Sequence, residues 1–252
     1  MAGTDGERHF FCATVSYDGT DFNGYQIQVG QRTVQGTIEA ALAQITQEQV
    51  RVTAAGRTDS GVHALGQVIA FRTGWKHPIE ALHRGLNALL PSDVAILALS
   101  EAKSGFHPRF DAQSRVYRYT IWNDSTRNPL VRRYAHWVSQ PLNIEAMIQA
   151  AQHLIGEHDF ATFGQSPQGT QTVRRVMQAV WTQNVHTLCF KIEANAFLYR
   201  MVRSIVGTLL KVGMGEWSVD DFTARFTAAD RSLSGPAAPA HGLCLLAVNY
   251  RD

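Results

Sequence analysis

Alternating apolar and polar residues near the start of the chain predict its first strand. From Phe10 to Tyr17, every second side chain beginning with Phe11 is apolar, which is the period of a β-strand. Thr33 can cap a helix that has one apolar stripe: Val34, Ile38, Leu42 and Ile45. The segment Gln49 to Ala55 then predicts a second strand.

The next hydrophobic runs complete a recognisable order of elements. Gly66 to Phe71 predicts a strand, Pro78 opens a helix, and Val94 to Leu99 returns to strand. The stripe of the helix consists of Ile79, Leu82, Leu86 and Leu89. The order β-α-β-β-α-β is ferredoxin-like, with two helices on one face of an antiparallel sheet.

The second half repeats this plan loosely. Four strands are predicted, at Arg115 to Trp122, Ala135 to Val138, Val173 to Thr182 and Thr187 to Ala194. A helix from Asn143 would face inward with Ile144, Met147, Ile148, Ala151, Leu154 and Ile155 and end at Gly156. Another helix has a buried stripe of Leu198, Met201, Val202, Ile205, Leu209 and Val212. A short helix is predicted at Val219 to Phe226, a Pro-containing loop at Ser232 to His241, and a final strand at Leu243 to Tyr250.

Composition narrows the class of protein. The chain has 252 residues, 45% of them hydrophobic, which suffices for one large domain or two small ones. No segment approaches the roughly 20 apolar residues of a membrane span, and the N-terminus lacks a signal-peptide pattern, so we expect a cytoplasmic protein. Cys12, Cys189 and Cys244 suggest small core residues because no pair forms a C-x-x-C motif.

The net charge alone does not identify the binding partner of the protein. The net charge is only +2, although arginines cluster in two stretches: Arg115, Arg118, Arg127, Arg132 and Arg133, and then Arg200 and Arg203 with Lys211. Such clusters fit either a solvated surface or contacts to nucleic acid.

One loop concentrates reactive side chains between two glycines. The segment Gly56-Arg57-Thr58-Asp59-Ser60-Gly61 joins two predicted strands, where glycines let the backbone aim its neighbours at one point. The alternative is an ordinary turn in which the side chain of Asp59 bonds its own backbone.

This loop, continued by Val62-His63-Ala64, resembles the signature of the TruA family of tRNA pseudouridine synthases. Further similar stretches follow the family's order: Tyr17-Asp18-Gly19-Thr20 with Phe22, Gly24 and Gln26; Val34-Gln35-Gly36; Phe106-His107 with Arg109-Phe110; Tyr117-Arg118-Tyr119; Gly156-Glu157-His158-Asp159-Phe160; Phe197 to Gly207; and Ala237 to Leu243. The resemblance therefore covers nearly the whole chain.

The resemblance implies a fold and an activity. It implies an α+β protein with two ferredoxin-like halves, 1–105 and 106–252, whose sheets join into one platform with helices on one face and a central active-site cleft. It implies isomerisation of uridine to pseudouridine at about positions 38 to 40 of the tRNA anticodon stem-loop, after base flipping. The reaction needs no cofactor or metal, and the family works as a homodimer.

The resemblance also assigns residues. Asp59 matches the nucleophile, which attacks either the ribose or the uracil ring. Arg203 matches the arginine that holds this carboxylate ionised, unless it only meets solvent. Tyr117 matches the tyrosine against the target uracil, although Tyr119 shares its face of the strand and could take this place.

The remaining candidates are contacts to RNA. Arg57 matches the residue that fills the space left by the flipped nucleotide. Arg118 and Arg200 are basic neighbours of the assigned residues and are predicted to bind substrate. His153, His158 and Asp159 lack a third strong ligand at metal spacing, and Phe160 and Phe163 beside them are predicted core residues.

Two other functions compete with this interpretation. A ferredoxin-like sheet is also the scaffold of RNA-recognition motifs, but no aromatic RNP1-like strand is present. A sugar-processing enzyme would need a second carboxylate beside Asp59, and none is apparent.

Overall fold

The chain divides into two compact units. The computed structural model describes residues 8–166 and 169–251. Contacts between Cα atoms group the residues up to Gln113 with those from Leu245 onward, and group Ser114–Cys244 separately. The predicted boundary between residues 105 and 106 stays a prediction.

The first unit has the predicted β-α-β-β-α-β order. Its elements are β1 His9–Tyr17, α1 Val34–Thr46, β2 Thr53–Ala54, β3 His63–Thr73, α2 Ile79–Leu89 and β4 Val94–Glu101. The sheet runs β4-β1-β3, β2 pairs with β3, and all three of these pairings are antiparallel, as in a ferredoxin-like fold. The last strand, β10 Leu243–Asn249, belongs to this unit from Leu245 onward, and that part lies beside β3.

Local sequence explains these elements. In β1 the alternate residues from Phe11 to Tyr17 are buried. The Thr33 hydroxyl accepts a hydrogen bond from the Gly36 amide and caps α1 as predicted. The two helices pack against each other, so that their apolar stripes cover the sheet together.

The strand predicted for Gln49 to Ala55 is mostly wrong. Only Thr53–Ala54 pairs with β3. Val50 and Val52 are buried, which produced the strand pattern, but the Val52 amide donates to the Glu39 carboxylate of α1 at 3.1 Å. A side chain of the helix takes the place of a neighbouring strand.

The second unit is a sheet with helices packed on it. Its elements are β5 Ser114–Asn123, β6 His136–Val138, α3 Ile144–Gln152, β7 Gly156–Asp159, β8 Val173–Asn184, β9 Thr187–Ala194, α4 Met201–Gly213 and α5 Val219–Thr227, and β10 is Leu243–Asn249. The order is β5-β9-β8-β7 with antiparallel neighbours, and β6 runs parallel to β5. Since α3 contacts α4, α5 and β8, the helices share one face.

Helix α3 ends earlier than predicted. It stops at Gln152, and Gly156, with φ of +113°, begins the unpredicted strand β7. Ile148 and Ile155 are about 40% exposed, not inward, because the buried stripe runs through Met147, Ala150, Ala151 and Leu154. The apolar pattern continued beyond the helix and hid its end.

Other predictions have mixed outcomes. Phe160 and Phe163 are fully buried, as predicted. The three cysteines are free thiols but only half-buried, so their assignment to the core is wrong. The stretch from Ser232 to His241 is irregular except for short 3-10 turns at its two ends. Among the described residues, no helix is long and apolar enough to cross a membrane.

Candidate functional site

The Asp59 loop, residues 55–62, lies between β2 and β3 and is held by its backbone. The Tyr25 amide donates to the Thr58 carbonyl at 3.0 Å, and the Ser60 hydroxyl donates to the Phe22 carbonyl at 3.1 Å. Thr58 is buried, and its hydroxyl shares a 2.8 Å hydrogen bond with the Tyr17 phenol. The loop is therefore anchored on both sides of Asp59.

Glycines allow the segment 17–25 to approach this loop closely. A methyl group on Gly19 would lie 2.0 Å from the Val62 carbonyl oxygen, and one on Gly24 would lie 3.0 Å from the Thr58 carbonyl oxygen. Gly24 also has φ of +82°, a conformation that favours glycine. Any larger residue would push the two backbones apart.

Inside the loop, one of the two glycines fits the expected role. Gly61 has φ of +77°, and the Val62 amide donates to the Asp59 carbonyl at 3.1 Å, which closes a backbone turn. Gly56 does not have a positive φ, and nothing lies within 4 Å of the position of a methyl group there. The turn after Asp59 is thus built by backbone atoms.

Neighbouring side chains of the Asp59 loop differ in how much of their surface is exposed. Arg57 is exposed, Thr58 is buried and Asp59 is half-buried. The loop presents Arg57 to solvent and holds the Asp59 carboxylate at the boundary between solvent and core. A carboxylate there is accessible to a substrate and partly desolvated.

A buried histidine supports the segment opposite the loop. The Gly19 amide donates to Nδ1 of His63 at 3.0 Å, and the same nitrogen lies 3.1 Å from Oδ1 of Asp18. Asp18 also accepts bonds from the amide and hydroxyl of Thr20. The sequence assigns His63 no role, although its place in the loop motif is a signal of one.

In the second unit, Tyr117 and Tyr119 of β5 differ in burial. Tyr117 is half-buried, and its ring packs edge-on against Phe197, with centroids 5.0 Å apart at 84°. Tyr119 has 0% exposure, and its hydroxyl donates to the Pro239 carbonyl at 2.8 Å. Of the two tyrosines, Tyr117 is the one whose ring a base can reach.

Burial also fixes the protonation state of Tyr119. Desolvation raises the pKa of Tyr119 far above the usual value near 10 and outweighs the charge of Arg203, which lowers this pKa. A methyl group on Gly242 would lie 2.6 Å from the Tyr119 ring, so the chain covers this ring tightly. Tyr119 is a neutral hydrogen-bond donor in the core.

Arg203 lies on α4 and is held by the loop that precedes β10. Its Nε donates to the Ala238 carbonyl at 2.7 Å, while the Ala238 amide donates to the Arg203 carbonyl at 2.9 Å. The side chain is half-buried, which differs from the alternative of an arginine that only meets solvent. Anchoring through Nε orients the two terminal nitrogens of the guanidinium.

The other predicted RNA contacts have less uniform surroundings. Arg200 is exposed, precedes α4 with φ of +60°, and places its guanidinium carbon 5.0 Å from the Tyr199 ring centroid. Arg118 is half-buried beside Lys191 in the neighbouring strand β9. Asp59 and Arg57 belong to the first unit, and the other assigned residues belong to the second.

Two structural supports were not predicted from the sequence. Phe197 packs on Tyr117, and the carbonyls of Ala238 and Pro239 hold Arg203 and Tyr119. Backbone carbonyls leave no signature in side-chain chemistry. Within the described ranges, no three histidine, cysteine or carboxylate side chains are grouped closely enough to hold a metal ion.

Comparisons with known proteins give one consistent family. A family model described as tRNA pseudouridine synthase matches residues 13–111 and 150–251. The chain is 46% identical over 240 residues to tRNA pseudouridine synthase A of Bacillus velezensis, which covers 94% of this chain and 97% of that protein. It is 47% identical over 244 residues to tRNA pseudouridine synthase A of Roseiflexus sp. (strain RS-1), with coverages of 94% and 89%.

Similarity to solved structures is more distant. The crystal structure of a Cbf5-Nop10-Gar1 complex matches 95% of this chain and 60% of that chain, at 11% identity and a TM-score of 0.37. A TM-score this low does not define the fold of either unit.

Proposed function

Because the chain belongs to the tRNA pseudouridine synthase family, we propose that it converts uridines at about positions 38 to 40 of the tRNA anticodon stem-loop into pseudouridine. Because it belongs to this family, the protein is an isomerase that acts on tRNA. The proposal adds the position in the tRNA, the Asp59 nucleophile and the flipping of the target base.

Asp59 is the proposed nucleophile. Its carboxylate forms a covalent bond to the target nucleotide, at the anomeric ribose carbon or at the uracil ring, and the bond between N1 and the ribose breaks. The uracil rotates while bound, its carbon 5 joins the ribose, and the bond to Asp59 breaks and frees the carboxylate. The carbon 5 proton leaves as N1 takes up a proton. Substrate and product are isomers, so the step consumes no second substrate.

The fixed backbone of the Asp59 loop is the observation that best supports this role. Nucleophilic attack requires the reacting atoms within about 3–3.5 Å in the correct orientation, and a displacement of about 1 Å costs roughly a hundredfold in rate. Hydrogen bonds to Thr58 and Ser60 hold the backbone on both sides of Asp59. A surface turn without chemical work has no need of such anchoring.

The other assigned residues act around the target uridine. Tyr117, half-buried against Phe197, stacks on the flipped uracil, and its phenol takes the carbon 5 proton as it passes its own proton to water. Arg203 keeps the Asp59 carboxylate ionised. Arg57, exposed on the same loop, fills the space left by the base, and Arg118 and Arg200 contact RNA.

The proposed assembly is a homodimer that grips one tRNA with both subunits, in the cytoplasm where tRNA is modified. The net charge of one subunit is only +2, which is small for a surface that must span a tRNA. Pairing two subunits doubles the basic surface available to one substrate.

The decisive experiment replaces Asp59 with asparagine. This change preserves size and most turn hydrogen bonds but removes the charge and the nucleophilicity. We expect Asp59→Asn to melt as the unmodified protein does, to bind an anticodon-arm transcript, and to lose at least about a thousandfold of its rate of tritium release from carbon 5 of labelled uridine.

Two controls separate catalysis from folding. Asp59→Ala should also bind tRNA without forming pseudouridine, and Ser218→Ala, which removes the N-cap of α5, should retain activity while losing about 1 kcal/mol. Substantial tritium release by Asp59→Asn would reject the nucleophile. Binding without release by the unmodified protein would favour an RNA-binding module that has no catalytic activity.

A further inference from the structure

An ordered loop follows β4 in the first unit. The Phe110 loop, residues 102–113, is closed by two bonds between His107 and Asp111: the Asp111 amide donates to the His107 carbonyl at 3.0 Å, and the His107 amide donates to the Asp111 carboxylate at 2.8 Å. The Tyr250 phenol donates to the Pro108 carbonyl at 2.8 Å. These contacts give the loop a defined shape.

This loop borders an open cavity of about 520 Å³. Its lining includes Lys103, Phe106, Phe110, Gln113, Tyr250 and Arg251. The volume lies within the range of small-ligand sites. No residue of the Asp59 loop lines the cavity, so the target uridine is not its occupant.

An exposed aromatic ring stands at the cavity. Phe110 is 71% exposed, which is a large apolar surface for one side chain in water. The His107 ring lies 4.2 Å from it, centroid to centroid, and the Arg109 guanidinium lies 5.6 Å from it. Both neighbours lie over the face of the ring rather than at its edge, and 71% of the Phe110 side chain still stays exposed.

Two cations, Lys103 and Arg251, and one carboxylate, Asp111, line the cavity. Among the described residues, neither Lys103 nor Arg251 has an ion-pair partner or a side-chain hydrogen bond. The carboxylate of Asp111 is engaged by the His107 amide within the loop. Two cations thus flank an exposed ring and attract an anion that carries a flat group.

We propose that this cavity binds an unstacked nucleotide of the tRNA other than the target uridine. The base stacks on Phe110, and the adjoining phosphates pair with Lys103 and Arg251, the combination by which proteins hold single-stranded nucleic acid. A protein partner would need a wider apolar surface than one ring. The inference rests on the proposed function because it takes tRNA as the ligand.

The first test measures tRNA affinity by fluorescence anisotropy with a full-length transcript. In an Asp59→Asn background, which avoids turnover, Phe110→Ala should weaken binding about 5- to 100-fold. Phe110→Trp should keep affinity within about twofold, because the larger ring still stacks. Val185→Ala, at another exposed apolar residue, is the matched control and should change nothing.

Kinetics and salt dependence give readouts that a structural defect would not reproduce. With Asp59 restored, Phe110→Ala should raise KM and leave kcat near its original value, because binding common to ground and transition states is lost. Lys103→Gln should reduce the slope of log Kd against log salt by about one. Thermal melting of each variant should be unchanged, since both side chains face solvent.

Crosslinking locates the ligand directly. A tRNA containing 4-thiouridine, irradiated with the full-length protein, should label a peptide of the Phe110 loop or the Tyr250 segment. Affinity of Phe110→Ala within twofold of its parent, or crosslinks confined to other segments, would overturn the inference.

The remaining outcomes separate rival explanations. If Phe110→Ala disrupts subunit assembly in sedimentation without changing tRNA affinity, the ring belongs to a protein interface and the inference is wrong. If the unmodified protein binds tRNA through this cavity but forms no pseudouridine, the proposed function fails and the nucleotide site stands.

Discussion

The two units mount their assigned residues by different means. In the Asp59 loop the Phe22 and Thr58 carbonyls accept supporting bonds, the Thr58 and Tyr17 hydroxyls share a third, and glycines bring the two segments together. In the second unit the side chains themselves are tied: the guanidinium of Arg203 and the phenol of Tyr119 both donate to carbonyls of the loop before β10.

This difference predicts which substitutions each region tolerates. Where backbone contacts fix the geometry, side chains can change with little structural effect, but an added methyl group at a close approach moves the whole loop. Where side chains fix the geometry, a single lost donor loosens one contact and leaves an unpaired carbonyl. Three experiments compare support by backbone contacts with support by side-chain contacts.

The largest effect is expected for Tyr117→Phe. This change removes the hydroxyl proposed to accept the carbon 5 proton and keeps the ring that packs on Phe197. We expect turnover to fall about 10²- to 10⁴-fold, the usual contribution of a positioned acid or base, with no change in melting temperature. Single-turnover tritium release measures the rate, and a loss below threefold would leave Tyr117 with a stacking role alone.

The next effect separates two glycines of the first unit. The methyl group of Gly19→Ala would meet the Val62 carbonyl at 2.0 Å, so the backbone must move by about 1 Å or more. We expect a destabilisation of about 1–3 kcal/mol and a rate about a hundredfold lower.

Gly56→Ala is the matched control because the methyl group has free space there. It should retain the rate and the stability of the unmodified protein, as measured by tritium release and by thermal melting. Equal losses in the two variants would show that the close approach at Gly19 does not position Asp59.

The smallest effect is expected for Tyr119→Phe. Loss of the hydroxyl leaves the half-buried Pro239 carbonyl without this donor and should cost about 1–2 kcal/mol in urea unfolding. Because the folded pKa of Tyr119 lies above its unfolded value near 10, its contribution to stability is present below pH 10 and is lost as pH rises further. The variant should show less of this alkaline loss, while unchanged stability would contradict the structural role.

Sequence patterns predicted elements whose own side chains determine their structure. Thr33 announced the start of α1 because its hydroxyl makes the cap. The apolar pattern gave a wrong prediction where a distant side chain makes the contact. The Glu39 carboxylate accepts a hydrogen bond from the Val52 amide, in a segment that the pattern had predicted as a strand. The pattern also failed at Ile155, where apolar residues continued past the end of α3.

The residues of the candidate site also differ in how far the sequence predicted them. Asp59 stood out because it lies between glycines in a loop that joins two strands, but a turn residue fits that pattern as well. The family resemblance is what pointed to a nucleophile. Tyr117 and Tyr119 could not be distinguished by periodicity, since residues two apart share a face of a strand. Only the carbonyl of Pro239, far along the chain, identifies Tyr119 as the buried one.

The place of β10 in the first unit has a consequence for synthesis of the protein. Between β4 and β10 the ribosome makes every residue of the second unit, at about 5–20 residues per second. For several seconds the part of the β3 edge around Gly66, which packs on the backbone of Leu246, therefore lacks β10 in the nascent chain, and β2 covers only the stretch at Ile69 and Ala70. An open edge is where chaperones bind and where aggregation starts, so translation speed and chaperone supply bear most on the unit that is begun first and completed last.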